Sequence, residues 1–201
     1  VLTVYLWAVA VAKELGAFTR EQSEKALADA SALIDQFETI IQESEAWYDR
    51  NAVSIVNSDR IYILGYGIDF GSMLEGTLKV GEMLRLPVLG YELEEYSHGP
   101  TMALRDNQTL LMIGSDEAEF ERMLEFREIY KRYTPRVHVI TCKDEISPDE
   151  RDIVFSVKTD KYLAPLMYTV PFQFLAAKGA KQVFIDTNMN PFEEPIAHYA
   201  D

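Results

Sequence analysis

Cysteine is almost absent from this chain. Cys142 is the only one in 201 residues, so neither an intrachain disulfide framework nor a thiolate metal cluster can be built. Histidine is nearly as scarce. His98, His138 and His198 lie far apart and lack metal-ligand spacing of the HExxH kind. Basic residues are the third shortage: 19 Lys and Arg face 33 Asp and Glu, a formal net charge of −14. That excludes nucleic acid as an expected partner, because phosphate backbones are held by Lys and Arg, and it argues equally against an anionic membrane surface. A small anionic ligand survives this test, since one phosphate needs few donors and a helix N-terminus supplies them. Residues 1–12, VLTVYLWAVAVA, are too few to span a bilayer, and no basic residue precedes them. They read as neither a membrane helix nor a signal peptide. A reducing, cytoplasmic setting is the expectation, with neither a metal nor an organic cofactor.

What the chain does have is apolar surface. Hydrophobic residues make up 48% of it, enough for a sizeable core. Residues 1–15 are expected to form a core or interface helix ending at Gly16. With nothing ahead of it, such a helix suggests part of a longer protein. Thr19 and Gln22 match the T-x-x-Q capping box, in which each side chain satisfies an orphan N–H. Leu27, Ala30, Leu33, Ile34, Phe37, Ile40 and Ile41 then recur at helical spacing, predicting one helix to about residue 46. After Asn57 the pattern changes. Apolar runs at 60–64, 88–91, 109–113, 137–141 and 153–157 read as strands, with helices at about 71–86, 116–132 and 162–178. Ser115 is placed to N-cap the second of these. Pro171 should kink or break the third.

Strands alternating with helices predict an α/β fold, a three-layer αβα sandwich on a five-stranded parallel sheet, preceded by two helices. Residues 1–50 read as a helical segment and 51–201 as the sheet domain. Sites in such sheets lie beyond the carboxyl ends of the strands, which points to the loops after Leu64, Tyr91 and Ile113.

Three features there could carry chemistry. Gly65, Gly67 and Gly71 form GxGxxxG, not the dinucleotide-binding GxGxxG, and the residue about 20 further on is Arg85 rather than an acid. A tight strand-to-helix turn explains them as well as a ligand does, with Gly67 the candidate for binding. Glu75, Lys79 and Glu82 sit at i, i+4 and i+7, on one helix face. An exposed salt-bridge stripe is the plain account, and a cleft-facing stripe the functional one. His98 precedes Gly99-Pro100 in a constrained turn, either as a hydrogen-bonding residue or as a proton-transfer group.

The combination E-x-x-x-K-x-x-E, followed sixteen residues after Glu82 by His98-Gly-Pro, resembles the second SIS (sugar isomerase) domain of the glucosamine-6-phosphate synthase isomerase module and its relatives, the fructosamine-6-phosphate deglycases. Residues 74–104, LEGTLKVGEMLRLPVLGYELEEYSHGPTMAL, carry the likeness. Residues 1–15 are similar to the closing helix of the first SIS domain, and residues 163–175 to the family's late apolar helix. The resemblance implies a flavodoxin-like SIS fold and a phosphosugar substrate. It implies Glu82 as the base moving a proton between C1 and C2, with Glu75 and Lys79 ordering the site. His98 would act at the ring oxygen or C1, in a neighbouring subunit's site, with Glu95 fixing its orientation. A homo-oligomer with a shared active site follows. Two departures stand out. The family's phosphate loop, S-x-S-G-x-[ST], is missing here. The tail places His198 about where the synthase has a lysine that works on the sugar carbonyl. A histidine cannot form a Schiff base, which shifts weight to deglycase and aldose–ketose isomerase relatives. A phosphosugar-sensing module without turnover is the alternative.

Overall fold

Three helices precede the first strand in the computed structural model, which describes residues 1–115 and 117–192. They are α1 (Leu2–Glu14), α2 (Arg20–Asp35) and α3 (Phe37–Val56). The capping box at Thr19 forms as the sequence indicates: Gln22 N–H donates to the Thr19 hydroxyl at 3.1 Å, and Thr19 N–H to the Gln22 side chain at 2.8 Å. The single helix expected to about residue 46 is instead two. It breaks at Gln36 and continues to Val56. Ile40, Trp47 and Ile55 are fully buried against the sheet, and the change of path at Gln36 lets α3 follow that surface. Residue 50 lies inside α3. Core burial, one of two expectations for α1, is not met. Only Val9 is buried, while Val4, Trp7 and Val11 are exposed.

The sheet follows. Its strands are β1 (Ile61–Gly65), β2 (Val88–Glu92), β3 (Thr109–Gly114), β4 (Val137–Thr141) and β5 (Ile153–Val154), all parallel, in the order β2-β1-β3-β4-β5. Between them run α4 (Asp69–Leu84), α5 (Leu93–Ser97), a 3-10 turn (Pro100–Ala103) and α6 (Glu117–Tyr130). The chain closes with α7 (Ala164–Tyr168) and α8 (Val170–Gln182). Side chains alternate across the strands. Ile61, Ile63, Leu111 and Ile113 pack under α3, α4, α7 and α8. Tyr62, Leu64, Leu110 and Met112 pack under α5 and α6. This is the expected three-layer αβα architecture. β5 is shorter than expected, because β4 ends at Thr141 and leaves no backbone for residues 156 and 157 to pair with. Pro171 does break its helix, standing in the first turn of α8 after α7 stops. Gly76 of α4 is required by that contact. A Cβ there would lie 2.8 Å from the Phe172 ring. No helix among the described residues is long and apolar enough to cross a membrane.

His138, on β4, is fully buried. Its Nδ1 lies 2.8 Å from the Arg151 carbonyl, which also accepts from Trp47 Nε1 at 2.6 Å. A carbonyl only accepts, so the ring is the neutral Nδ1–H tautomer. Nε2 has no partner. Burial first of all, against the pull of the Arg151 carbonyl, brings the imidazole pKa down to about 4. The sign follows from linkage. Below pH 6.5 the unfolded chain takes up a proton that the folded chain refuses, so stability falls with pH down to about 4. The loss is on the order of 3 kcal/mol. Urea unfolding from pH 7.5 to 4.5 should show this slope, and His138→Leu should remove most of it.

Candidate functional site

The loop after β1 is set by glycine. Gly67 has φ +51°, in the left-handed region that favours this residue. It makes the tight turn from β1 into the next helix. Asp69 then opens α4 and is completely buried. Its carboxylate accepts the Ser115 backbone N–H at 2.7 Å and the Ser115 hydroxyl at 2.7 Å. The Ser115 hydroxyl hydrogen goes to Asp69, which leaves the capping role expected of its oxygen untouched. This clamp joins the loops after β1 and β3, which lie at the switch point of the strand order, where open sheets usually bind ligands. A carboxylate already occupies both Ser115 donors there. Beneath it, the Tyr168 hydroxyl accepts the Cys142 N–H at 3.0 Å, and Thr141 donates to the Gly114 carbonyl at 2.7 Å. Burial, then the neighbouring Cys142, holds the Tyr168 phenol well above its ordinary pKa. The carboxyl ends of β3 and β4 are therefore filled with protein.

The stripe on α4 lies elsewhere. Glu75, Lys79 and Glu82 share its outward face, and none of them is buried. Of the two carboxylates on this stripe Lys79 reaches Glu82, Nζ to Oε2 at 3.4 Å, with 58% of the Glu82 side chain exposed. Glu75 borders a cavity of about 1230 Å³ between α1, α2, the start of α4 and α7. Its walls are mainly apolar, with Val4, Val9, Phe18, Ile68 and Pro165 among them.

His98 ends α5 with its side chain 70% exposed, and Nδ1 lies 4.0 Å from Glu95 Oε1. That distance is too long for a hydrogen bond, so Glu95 stands beside the imidazole without fixing it. Glu92 caps α5, accepting the N–H groups of Glu94 at 2.8 Å and Glu95 at 3.0 Å. Glu82 and His98 do not meet within one chain. α4 packs on the Ile61–Ile63 face of the sheet and α5 on the Tyr62–Leu64 face. They flank β2, an edge strand, from opposite sides. His198 lies outside the described residues. Among the described residues no cluster of His, Cys, Asp or Glu could hold a metal.

Asp69 was missed in the sequence. An acid two residues past Gly67 was the available signal, and it reads as an ordinary first-turn residue.

A family profile described as SIS domain matches residues 54–188. A curated protein named glutamine–fructose-6-phosphate aminotransferase [isomerizing], from Thermococcus kodakarensis, is 26% identical over 169 residues. That match covers 84% of this chain and 28% of that protein. Two solved structures share the fold. One, described as a candidate phosphosugar isomerase from Clostridium difficile 630, superposes with TM-score 0.80 and 24% identity, over 92% of this chain and 52% of the other. The second, described as a candidate sugar-binding protein from Salmonella typhimurium LT2, has TM-score 0.77 and 29% identity, over 88% and 54%. The chain thus spans just over a quarter of the curated relative and about half of each solved chain.

Proposed function

The chain belongs to the SIS domain family, and on that premise we propose that it serves a phosphosugar isomerase or deglycase acting on a 6-phosphorylated ketosamine or amino-sugar. Glu82 is the base that moves a proton between C1 and C2. Lys79 lies beside it, Nζ to Oε2 at 3.4 Å. Glu75 lines the adjoining cavity and orders the substrate there. His98 is supplied by a neighbouring copy and acts at the ring oxygen or C1, with Glu95 at its side.

One observation carries this reading. The carboxylate and the imidazole lie on opposite faces of the sheet at the same uncovered edge strand, both open to solvent. A second copy laid along that edge brings one chain's imidazole toward the other's carboxylate. Exposed Phe70, Leu74 and Leu78 on α4 supply apolar surface for such an assembly. The Asp69 clamp supports a further element of the reading: the phosphate is held by residues outside this chain, since both Ser115 donors at the switch point are taken.

A sensing module without turnover is favoured by one finding, the 29% identity to the Salmonella protein described as sugar-binding. One experiment separates the two. The full-length protein is incubated with a panel of 6-phosphorylated fructosamines and amino-sugars, and products are followed by mass spectrometry. An isomerised or cleaved sugar phosphate is expected. Binding without any product across the panel would favour the sensor and remove the enzyme.

A further inference from the structure

Arg60 stands immediately before β1 and is half-buried. In a chain with 33 acidic against 19 basic residues, a cation ordinarily finds a carboxylate. Arg122, Arg127, Lys131 and Lys178 all do. Arg60 does not: the groups acting on its charge are the phenols of Tyr62, Tyr91 and Tyr96. One Nη donates to the Tyr62 hydroxyl at 3.2 Å, and the guanidinium lies over the Tyr62 ring. Its Nε–H is enclosed by protein and has no acceptor.

The tyrosines form a cluster. Ring centroids are 5.0 Å apart for Tyr62–Tyr96, 5.7 Å for Tyr91–Tyr96 and 6.3 Å for Tyr62–Tyr91. Tyr96 is fully buried, and its hydroxyl has no hydrogen-bond partner either. Burial and its tyrosine neighbours hold that phenol far above its ordinary pKa, so it stays a neutral donor. Arg60, Tyr62 and Tyr91 line a cavity of about 340 Å³, closed by Pro87, Leu89 and Pro100 at the uncovered edge of β2.

Arg60 therefore reaches this cavity with no carboxylate partner, beside Tyr62 and Tyr91. Guanidinium and phenol hydroxyls both donate, and neither offers a negative charge. The complementary ligand is an oxyanion, which a guanidinium fork grips through two nitrogens. The chain's net charge of −14 repels anions at a distance, so contact with Arg60 must supply the binding. The cavity is at the small end of ligand sites, which limits the ligand to a compact one. We propose that the Arg60–tyrosine cavity is a binding site for the carboxylate or phosphate group of a small molecule, separate from the Glu75–Glu82 stripe. Its occupant rests against Pro100, two residues past His98, and braces the turn that carries the imidazole.

The test uses inorganic phosphate and malonate as probes of the two oxyanion types. Each is titrated into the full-length protein at constant ionic strength, with binding followed by calorimetry and thermal midpoint. At least one probe should bind saturably to the wild type. Arg60→Met keeps the aliphatic stem and removes the donors; it should weaken that binding at least tenfold. Tyr91→Phe removes one rim hydroxyl and should weaken it severalfold, and it decides the matter should Arg60→Met fail to fold. The Arg60- or Tyr91-dependent part of the response is the readout, which separates this cavity from phosphate held elsewhere. A response to phosphate alone identifies a phosphoryl ligand, and one to malonate alone a carboxylate. Equal binding by wild type and the folded variants, or no binding of either probe by the wild type, overturns the proposal.

Discussion

Glu82→Gln is expected to lower turnover of the full-length protein by about 10²- to 10⁴-fold and to leave substrate binding within a few-fold of wild type. The amide keeps the size of the side chain and can still be approached by Lys79, which lies 3.4 Å from the native carboxylate. What it cannot do is accept a proton from carbon and return it to the next one. The loss should therefore fall on kcat and spare KM, the pattern of an interaction made in the transition state only. Glu82 is exposed, so the substitution has little to do to the fold: surface changes of this kind stay within about 0.5 kcal/mol. Steady-state kinetics with the substrate found in the product panel, together with a binding measurement on the same variant, give both numbers. Near-normal kcat would take the base's role away from Glu82, and an equal fall in affinity would make it a binding residue.

Asp152→Ala is expected to cost about 3–5 kcal/mol of folding stability. Asp152 is buried between β4 and α6, and it ion-pairs with Arg127, itself only 5% exposed. The carboxylate also accepts the N–H of Val139 at 2.8 Å and that of Asp149 at 3.0 Å. Burial pushes the Asp152 carboxyl above its ordinary pKa, while the Asp149 N–H and then Arg127 pull it back down. Because desolvation outweighs attraction at this carboxylate, the intact pair contributes little, but half of it is expensive. Alanine leaves the buried guanidinium with only Glu128 at 2.7 Å and Asp149 at 3.6 Å, and two backbone donors with no acceptor. Arg127→Met should cost a similar amount, and the double variant Arg127→Met/Asp152→Leu should cost clearly less than the two single losses added together. Urea unfolding of the three variants reads this out. A sum that is strictly additive would mean the two side chains do not act as a pair.

The sheet was legible because its strands are short apolar runs separated by helical periods, and a parallel sheet covered on both faces demands that pattern. Local signals with a single mechanism were legible too: the capping box at Thr19 and the helix break at Pro171. The break at Gln36 was not. No glycine or proline marks it, and the tertiary surface under Ile40 and Trp47 decides it. In the candidate site, spacing was enough to put Glu75, Lys79 and Glu82 on one face. It could not say which carboxylate Lys79 would choose, because i+3 and i−4 neighbours are equally near on a helix. Asp69 gains its meaning from Ser115, 46 residues away. The Arg60 cavity draws on β1, β2 and the 3-10 turn together, and no local pattern reports such a meeting.

The burial of Cys142 beneath Tyr168 has a practical consequence. Its Sγ lies 3.2 Å from the Tyr168 hydroxyl, and the residue is only 6% exposed. Maleimide reagents need an open thiol, so the native chain is nearly silent to them. A cysteine introduced at the exposed position 98 can then carry a spin label with no prior removal of the native thiol. Label-to-label separations across an assembly become measurable on an otherwise unaltered background.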